Sequence, residues 1–241
     1  MAGGPALRTP FGTFYAPNIT PDSEYGIGKW SDADFIRALR EGVSPDGQNY
    51  FPAFPYSSFT KMTTQDLLDL KAYLGTLAPV NRPNRQHEVK WPFSMRAALA
   101  PWKWLYFKAG SYKPDAGHDA KWNRGAYLVA AIVHCGECHT PRNWVGALDR
   151  AHWLTGARMQ VGDLVAPNLT PDKTGLADWS VADIVDALAS GTLPEGGTLG
   201  GEMGEVVSNS TSHLRKDDLE AIAAYLKSLP AMPTEVRKKT K

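Results

Sequence analysis

Cysteine is almost absent from this chain: only two occur among 241 residues, Cys135 and Cys138. A disulfide between residues so close together would brace no long loop, so the scarcity excludes a disulfide-stapled fold and makes the pair a candidate site. Long apolar runs are lacking too. The longest, Ala126 to Val133, falls far short of the about 20 residues that a membrane-spanning helix needs. Neither charge sign dominates: 26 basic side chains meet 25 acidic ones, for a net charge of +1, which gives no electrostatic footprint for nucleic acid. The N-terminus, Met1-Ala-Gly-Gly-Pro, has neither the basic start nor the apolar stretch of a secretory signal. A phosphate-binding glycine loop, a nucleophile motif and a carboxylate pair at catalytic spacing are all missing, so no substrate site is expected.

What remains is the composition of a soluble globular protein, 43% hydrophobic and 21% charged, on a chain longer than the roughly 100 to 150 residues of one typical domain. An internal repeat organises it. Ala16-Pro-Asn-Ile-Thr-Pro-Asp returns as Ala166-Pro-Asn-Leu-Thr-Pro-Asp, Trp30-Ser31 as Trp179-Ser180, and Gly42 as Gly191, a repeat length of about 150 residues. After each Trp-Ser pair the spacing predicts a short amphipathic helix, with Phe35, Ile36 and Leu39 in one copy and Ile184, Val185 and Leu188 in the other. Serine at the start, aspartate three positions on and glycine after the last turn mark its ends. A second helix closes each copy: Leu67, Leu70, Tyr73 and Leu74 align with Leu219, Ile222, Tyr225 and Leu226. Pro79 and Pro230 follow.

The expectation is therefore a mostly α protein of two tandem, homologous lobes. Residues 1–80 form the first, 81–118 an aromatic and Pro-rich linker, 119–230 the second and 231–241 a basic tail. No strand-like alternation of any length competes. The linker, with Trp91, Phe93, Trp102, Trp104, Tyr106 and Phe107, is expected to pack between the lobes; a docking face for a partner or membrane surface is the alternative.

The strongest local signal is Cys135-Gly-Glu-Cys138-His139, the spacing of covalent haem attachment. Two thiols can add to the two vinyl groups of a haem as thioethers while the adjacent histidine reaches the iron. A structural zinc site would want four ligands, usually two such pairs. A thioredoxin-like dithiol would want a strand before the motif, whereas Asn123 to His134 has a helical pattern with Gly125, Leu128, Val129 and Ile132 on one side.

A thioether opposite histidine is the usual electron-transfer pairing and raises the reduction potential. Met159 follows His139 too closely and Met232 lies past the last helix, while Met203 sits among Gly200, Gly201 and Gly204, in what reads as a loop able to cover the far face of the haem. Met203 is thus the expected second ligand and His213 the runner-up. His87, His118, His134 and His152 read as surface or packing residues. Asn168 and Trp179, repeated in both lobes, are candidates for propionate hydrogen bonds or for plain turn and core duties, and Arg142 is a further candidate.

These residues carry a resemblance. Thr9-Pro-Phe-Gly-Thr, Asn18-Ile-Thr-Pro-Asp, Phe51-Pro-Ala-Phe-Pro-Tyr, Trp122-Asn-Arg-Gly-Ala-Tyr-Leu-Val, Cys135-Gly-Glu-Cys-His-Thr-Pro-Arg-Asn and Gly204-Glu-Val-Val resemble the dihaem or trihaem cytochrome c subunits of bacterial periplasmic dehydrogenases. Alcohol, gluconate and nicotinate dehydrogenase complexes belong to that group. The resemblance implies that the two lobes are cytochrome c class I-like, and with that haem c, electron transfer with His/Met ligation of the iron, a catalytic dehydrogenase subunit as partner and a quinone or oxidase-side acceptor. It also implies a periplasmic location at the outer face of the inner membrane, with peripheral membrane association.

In that group each lobe has its own Cys-x-x-Cys-His, and here the first is missing. Phe54 stands where the repeat aligns with Met203, and Met62 reads as a staple before a helix. Loss of the first haem and removal of an N-terminal segment are both open. So the sequence predicts one covalently attachable haem per chain, in an electron carrier rather than an enzyme. The competing readings are a peroxidase-type enzyme with an open iron face, and a first lobe acting as a haem-free docking module.

Overall fold

The computed structural model describes residues 1–4, 6–159 and 164–234; all but the first four residues of the expected basic tail lie outside them. The chain divides into two compact units. One holds Met1–Tyr112 with Met159–Leu164, the other Lys113–Arg158 with Val165–Lys241. Most of the segment read as a linker, up to Tyr112, is thus part of the first unit. The architecture is mostly helical with small sheets. The strands, not expected from the sequence, are two to four residues long, too short to print an alternating pattern.

In the first unit β1 (Ala6–Thr9) pairs antiparallel with β2 (Gly12–Tyr15), and β3 (Glu88–Val89) adds to the other edge of β2. Helices α1 (Asp32–Glu41), α2 (Tyr56–Phe59), α3 (Thr64–Gly75) and α4 (Leu99–Tyr106) complete it. α1 begins on a reciprocal cap: Ser31 Oγ accepts from the Asp34 N–H while the Asp34 carboxylate accepts from the Ser31 N–H. It ends at Gly42, whose φ of 63° is the left-handed turn expected after the helix. Met62 and Leu67, flanking the Thr63 cap of α3, are both buried, as a staple requires. The aromatic segment folds onto this unit because its apolar side chains find partners there. Leu99 joins Phe14 and Phe51, Val89 packs beside them, and the Phe107 ring meets Tyr56 edge-on at 5.0 Å. Phe54 lies among Tyr50, Tyr56 and Phe59.

The second unit contains α5 (Ala120–Tyr127), α6 (Gly136–His139), the pair β4 (Ala157–Arg158) and β5 (Val165–Ala166), then α7 (Val181–Ser190), α8 (Gly201–Asn209) and α9 (Lys216–Ser228). α7 repeats the device of α1, with Ser180 and Asp183 as the cap and Gly191 as the stop.

The repeated Asn-x-Thr has one structural job in both copies. Asn18 Nδ2 donates to the Val80 carbonyl and the Val80 N–H donates to Thr20 Oγ1. Asn168 Nδ2 donates to the Met232 carbonyl and the Met232 N–H donates to Thr170 Oγ1. Each asparagine also accepts from the N–H two residues on, closing an Asx turn. The signature therefore ties the start of each repeat to the segment just past its last helix.

α5 and α9 cross closely. A Cβ on Gly125 would stand 2.0 Å from the Ala221 carbonyl oxygen. Around that crossing the Arg124 guanidinium grips Asp218 at 2.7 and 3.0 Å, Lys121 meets Glu220 at 3.0 Å, and the Trp122 indole N–H donates to Ser228 Oγ. Helix backbones this close cannot absorb a branched side chain. Gly125→Val is expected to cost at least about 3 kcal/mol, read as an earlier midpoint in denaturant unfolding followed by circular dichroism. A loss below about 1 kcal/mol would mean that the crossing opens without penalty.

Candidate haem-attachment site

α5 delivers the two cysteines through an unusual turn. It runs on into a wide helical turn over Leu128–Ile132, where the Val133 N–H reaches back five residues to the Leu128 carbonyl. Such widened turns often mark functional sites. His134 then takes φ 45°, a left-handed conformation that costs free energy in a non-glycine residue and persists only where its surroundings impose it. This reversal starts α6, with Cys135 at its head and the His139 N–H bonded to the Cys135 carbonyl at 2.9 Å. Cys135, Cys138 and His139 thereby share little more than one helical turn.

Gly136 has no room for a side chain. A Cβ there would lie 2.2 Å from the Trp153 indole, which is itself held by its N–H donating to the Tyr225 hydroxyl at 3.2 Å. The loop behind Trp153 stitches the motif in place: Gly156 N–H donates to the His139 carbonyl, Leu154 N–H to Thr140 Oγ1, and Leu169 N–H to the Leu154 carbonyl.

His139 is 7% exposed. Its Nδ1 lies 2.8 Å from the Pro167 carbonyl oxygen, an acceptor, so Nδ1 carries the proton and Nε2 keeps a free lone pair. A backbone carbonyl in this place fixes the tautomer and aim of a metal-binding imidazole. Burial holds its pKa below the usual histidine range, against the raising effect of the Pro167 hydrogen bond, so the ring is in the neutral, ligating form at neutral pH.

Burial pushes the Cys135 thiol up to about 12. It raises Cys138 as well, with the Glu202 and Glu137 carboxylates adding to the effect. A redox dithiol is built the other way, with a depressed thiol. Among the described residues no group of three or more His, Cys, Asp or Glu side chains gathers to hold a metal ion.

The other sequence-predicted residues fall out as follows. Met203 lies in the first turn of α8 and is half-buried. The glycines beside it thus open and line a helix, where a loop was expected, because Glu202, Met203 and Glu205 favour helix once Gly201 has turned the chain. The Glu202 carboxylate, next to Met203, adds to the raising of the Cys138 thiol.

Arg142 donates to the Gly146 and Glu137 carbonyls and forms an ion pair with the Glu137 carboxylate, a clasp on the residue between the two cysteines. Both Asn168 amide hydrogens are committed, one to Met232 and one to Thr174 Oγ1, which is the turn duty. Trp179 is half-buried just before the α7 cap. His213 is exposed in a short turn after α8. His118 stacks on Trp122, His152 bonds to Asp149, His87 accepts from the Tyr15 N–H, and His134 makes the turn before Cys135.

Two residues that matter escaped the sequence reading. Pro167 was visible within the repeated Ala-Pro-Asn, yet its role lies in a carbonyl group, which no side-chain pattern reports. Trp153, the lid on Gly136, belongs to no motif and left no signal.

No protein-family model matches the chain. Similarity to curated proteins is extensive. The chain is 45% identical over 237 residues to a "diheme cytochrome c-type" protein of Cereibacter sphaeroides, covering 96% of this chain and 77% of that one. At 43% identity it matches the cytochrome c subunit of the quinone-dependent alcohol dehydrogenase of Gluconacetobacter polyoxogenes, covering 96% of this chain and 51% of the relative. It is 39% identical to the fructose dehydrogenase cytochrome subunit of Gluconobacter japonicus, covering 96% of this chain and 48% of the relative. The chain thus spans about half the length of the two latter proteins.

Proposed function

The chain belongs to the family of dihaem c-type cytochromes and dehydrogenase cytochrome c subunits, and from that premise we propose that it carries electrons on one haem c bound to Cys135 and Cys138, with His139 and Met203 as the iron ligands. The observation that carries this reading is the buried His139, its Nδ1 engaged by the Pro167 carbonyl and its Nε2 left free, on the same turn as two thiols. The donor set suits the group: two cysteines for thioethers, a neutral imidazole and a thioether sulfur.

When bound, the haem supplies a one-electron iron couple; the protein tunes and holds it. Cys135 and Cys138 tether it, and the His134 turn and the Trp153 lid hold their spacing. The Pro167 carbonyl stops the His139 ring from rotating and makes it a stronger donor. The Arg142–Glu137 clasp stiffens the segment between the cysteines. Met203 would supply a thioether sulfur, a weak neutral donor that would favour reduced iron.

The electron donor we assign is a catalytic dehydrogenase subunit, and the acceptor a quinone or an oxidase-side protein, in the periplasm at the outer face of the inner membrane. The names of the relatives support the first of these: they include cytochrome subunits of alcohol, fructose and gluconate dehydrogenases. The second lobe, residues 119–230, is the haem domain in this proposal. A carrier whose haem iron would be held by both His139 and Met203 should bind cyanide slowly and peroxide not at all. Rapid binding of either by the ferric protein in stopped-flow absorbance would instead indicate an open iron face and a peroxidase-type enzyme.

A further inference from the structure

Four aromatic side chains of the second unit stand in line between its surface and the turn that holds the two cysteines. The His118 ring, exposed just before α5, lies flat on the Trp122 indole, with 3.8 Å between centroids and 9° from parallel. Trp122 meets the Tyr225 ring edge-on at 5.2 Å. The Tyr225 hydroxyl accepts from the Trp153 indole N–H at 3.2 Å. The other edge of that indole rests against Gly136, between Cys135 and Cys138.

Packing alone would ask only for bulk at these positions, yet the rings are aimed by polar ties. His118 sits on a turn in which the Asn123 amide donates to the Asp115 and His118 carbonyls. Trp122 is fixed twice, its backbone N–H on the Asp119 carboxylate and its indole N–H on Ser228 Oγ. Stacked and edge-on contacts of this kind have a defined geometry. Nor does the repeat demand the arrangement. Tyr73, which aligns with Tyr225, is 57% exposed, and Trp153 belongs to no repeated motif. The line of rings stands in the unit that has the cysteines.

An electron tunnels more readily through groups in contact than across a gap of the same length, and touching π systems couple better than saturated side chains. We propose that Trp153, Tyr225, Trp122 and His118 form an electron route from the Cys135–Cys138 turn to the surface, with the His118 ring as the port where a one-electron carrier protein couples. The inference rests on the electron-carrier reading, which puts the haem on that turn. One electron passes in each event: the iron goes from ferrous to ferric as the partner is reduced, or the reverse. No ring gains or loses an electron, and no proton moves.

The test is a flash experiment on the holoprotein with a ruthenium polypyridyl complex coordinated to the His118 imidazole, separated from species labelled at His87 and His213. A flash with an oxidative quencher makes the label a one-electron acceptor, and absorbance follows the ferrous iron becoming ferric. Trp122→Leu and Tyr225→Phe should each slow this transfer severalfold with the reduction potential unchanged. Trp122→Phe, which keeps a ring in place, should stay close to the wild-type rate. Should Trp122→Leu fail to fold, Tyr225→Phe, which removes only one hydroxyl, decides alone. Equal rates in the wild type and the two slowing variants overturn the proposal. So does a slowing that follows a shifted potential, which would report a changed driving force, or a Trp122→Phe variant as slow as Trp122→Leu. A chain with no covalent haem would sink the electron-carrier reading and this inference with it, whereas equal rates would sink this inference alone.

Discussion

Cys138→Ala is expected to leave, at most, a haem held by a single thioether, and Cys135→Ala with Cys138→Ala none that survives unfolding. The geometry explains why the loss should be large. Both thiols sit on a turn that the His134 reversal and the Trp153 ring hold in one conformation, so no neighbouring side chain can swing in as a replacement, and the chain contains no other cysteine. His139 alone would bind haem reversibly. The check is the mass of the denatured chain: the single variant should appear with reduced haem content and the double variant without haem. A double variant that keeps haem through denaturation would place the attachment elsewhere.

Met203→Ala should leave attachment intact, because Met203 lies on α8 and no bond to the cysteines depends on it. Its effect falls on the iron. Without the thioether the ferric state loses its sulfur-to-iron charge-transfer band, and water or an added ligand takes the vacated position. The reduction potential should fall by on the order of 0.1 V or more, since axial ligands span roughly 0.8 V in haem proteins. Spectroelectrochemical titration of wild type and variant measures it. An unchanged potential would mean that another residue fills the sixth position.

Much of the candidate site was legible because the residues proposed for it are side chains at fixed spacing. Cys135, Cys138 and His139 are contiguous in sequence, and the caps of α1 and α7, Ser31 with Asp34 and Ser180 with Asp183, form as their spacing foretold. What was not legible depended on backbone groups or on distant packing. The carbonyl of Pro167, the lid of Trp153 and the strands at Ala6–Thr9 and Gly12–Tyr15 carry no periodic signature. The setting of Met203 was misread for a related reason. Three glycines nearby suggested a loop, yet only the local geometry showed that Gly201 enters a helix. Asn168 was half understood: its recurrence was plain, but the carbonyl it tethers lies past α9. The aromatic segment was expected as a linker because proline and tryptophan break the helical pattern, whereas Leu99 and Phe107 anchor it to the first unit.

The proposal that this chain is a haem c electron carrier is tested most directly by one spectrum. The native protein is extracted with acid acetone to strip any haem that is not covalently bound, and the ferrous alkaline pyridine spectrum of the remaining chain is read against protein concentration. A band typical of haem with both vinyl groups saturated, at one haem per chain of this sequence, is the result predicted. A colourless chain, or a band showing an intact vinyl group, would contradict attachment through Cys135 and Cys138.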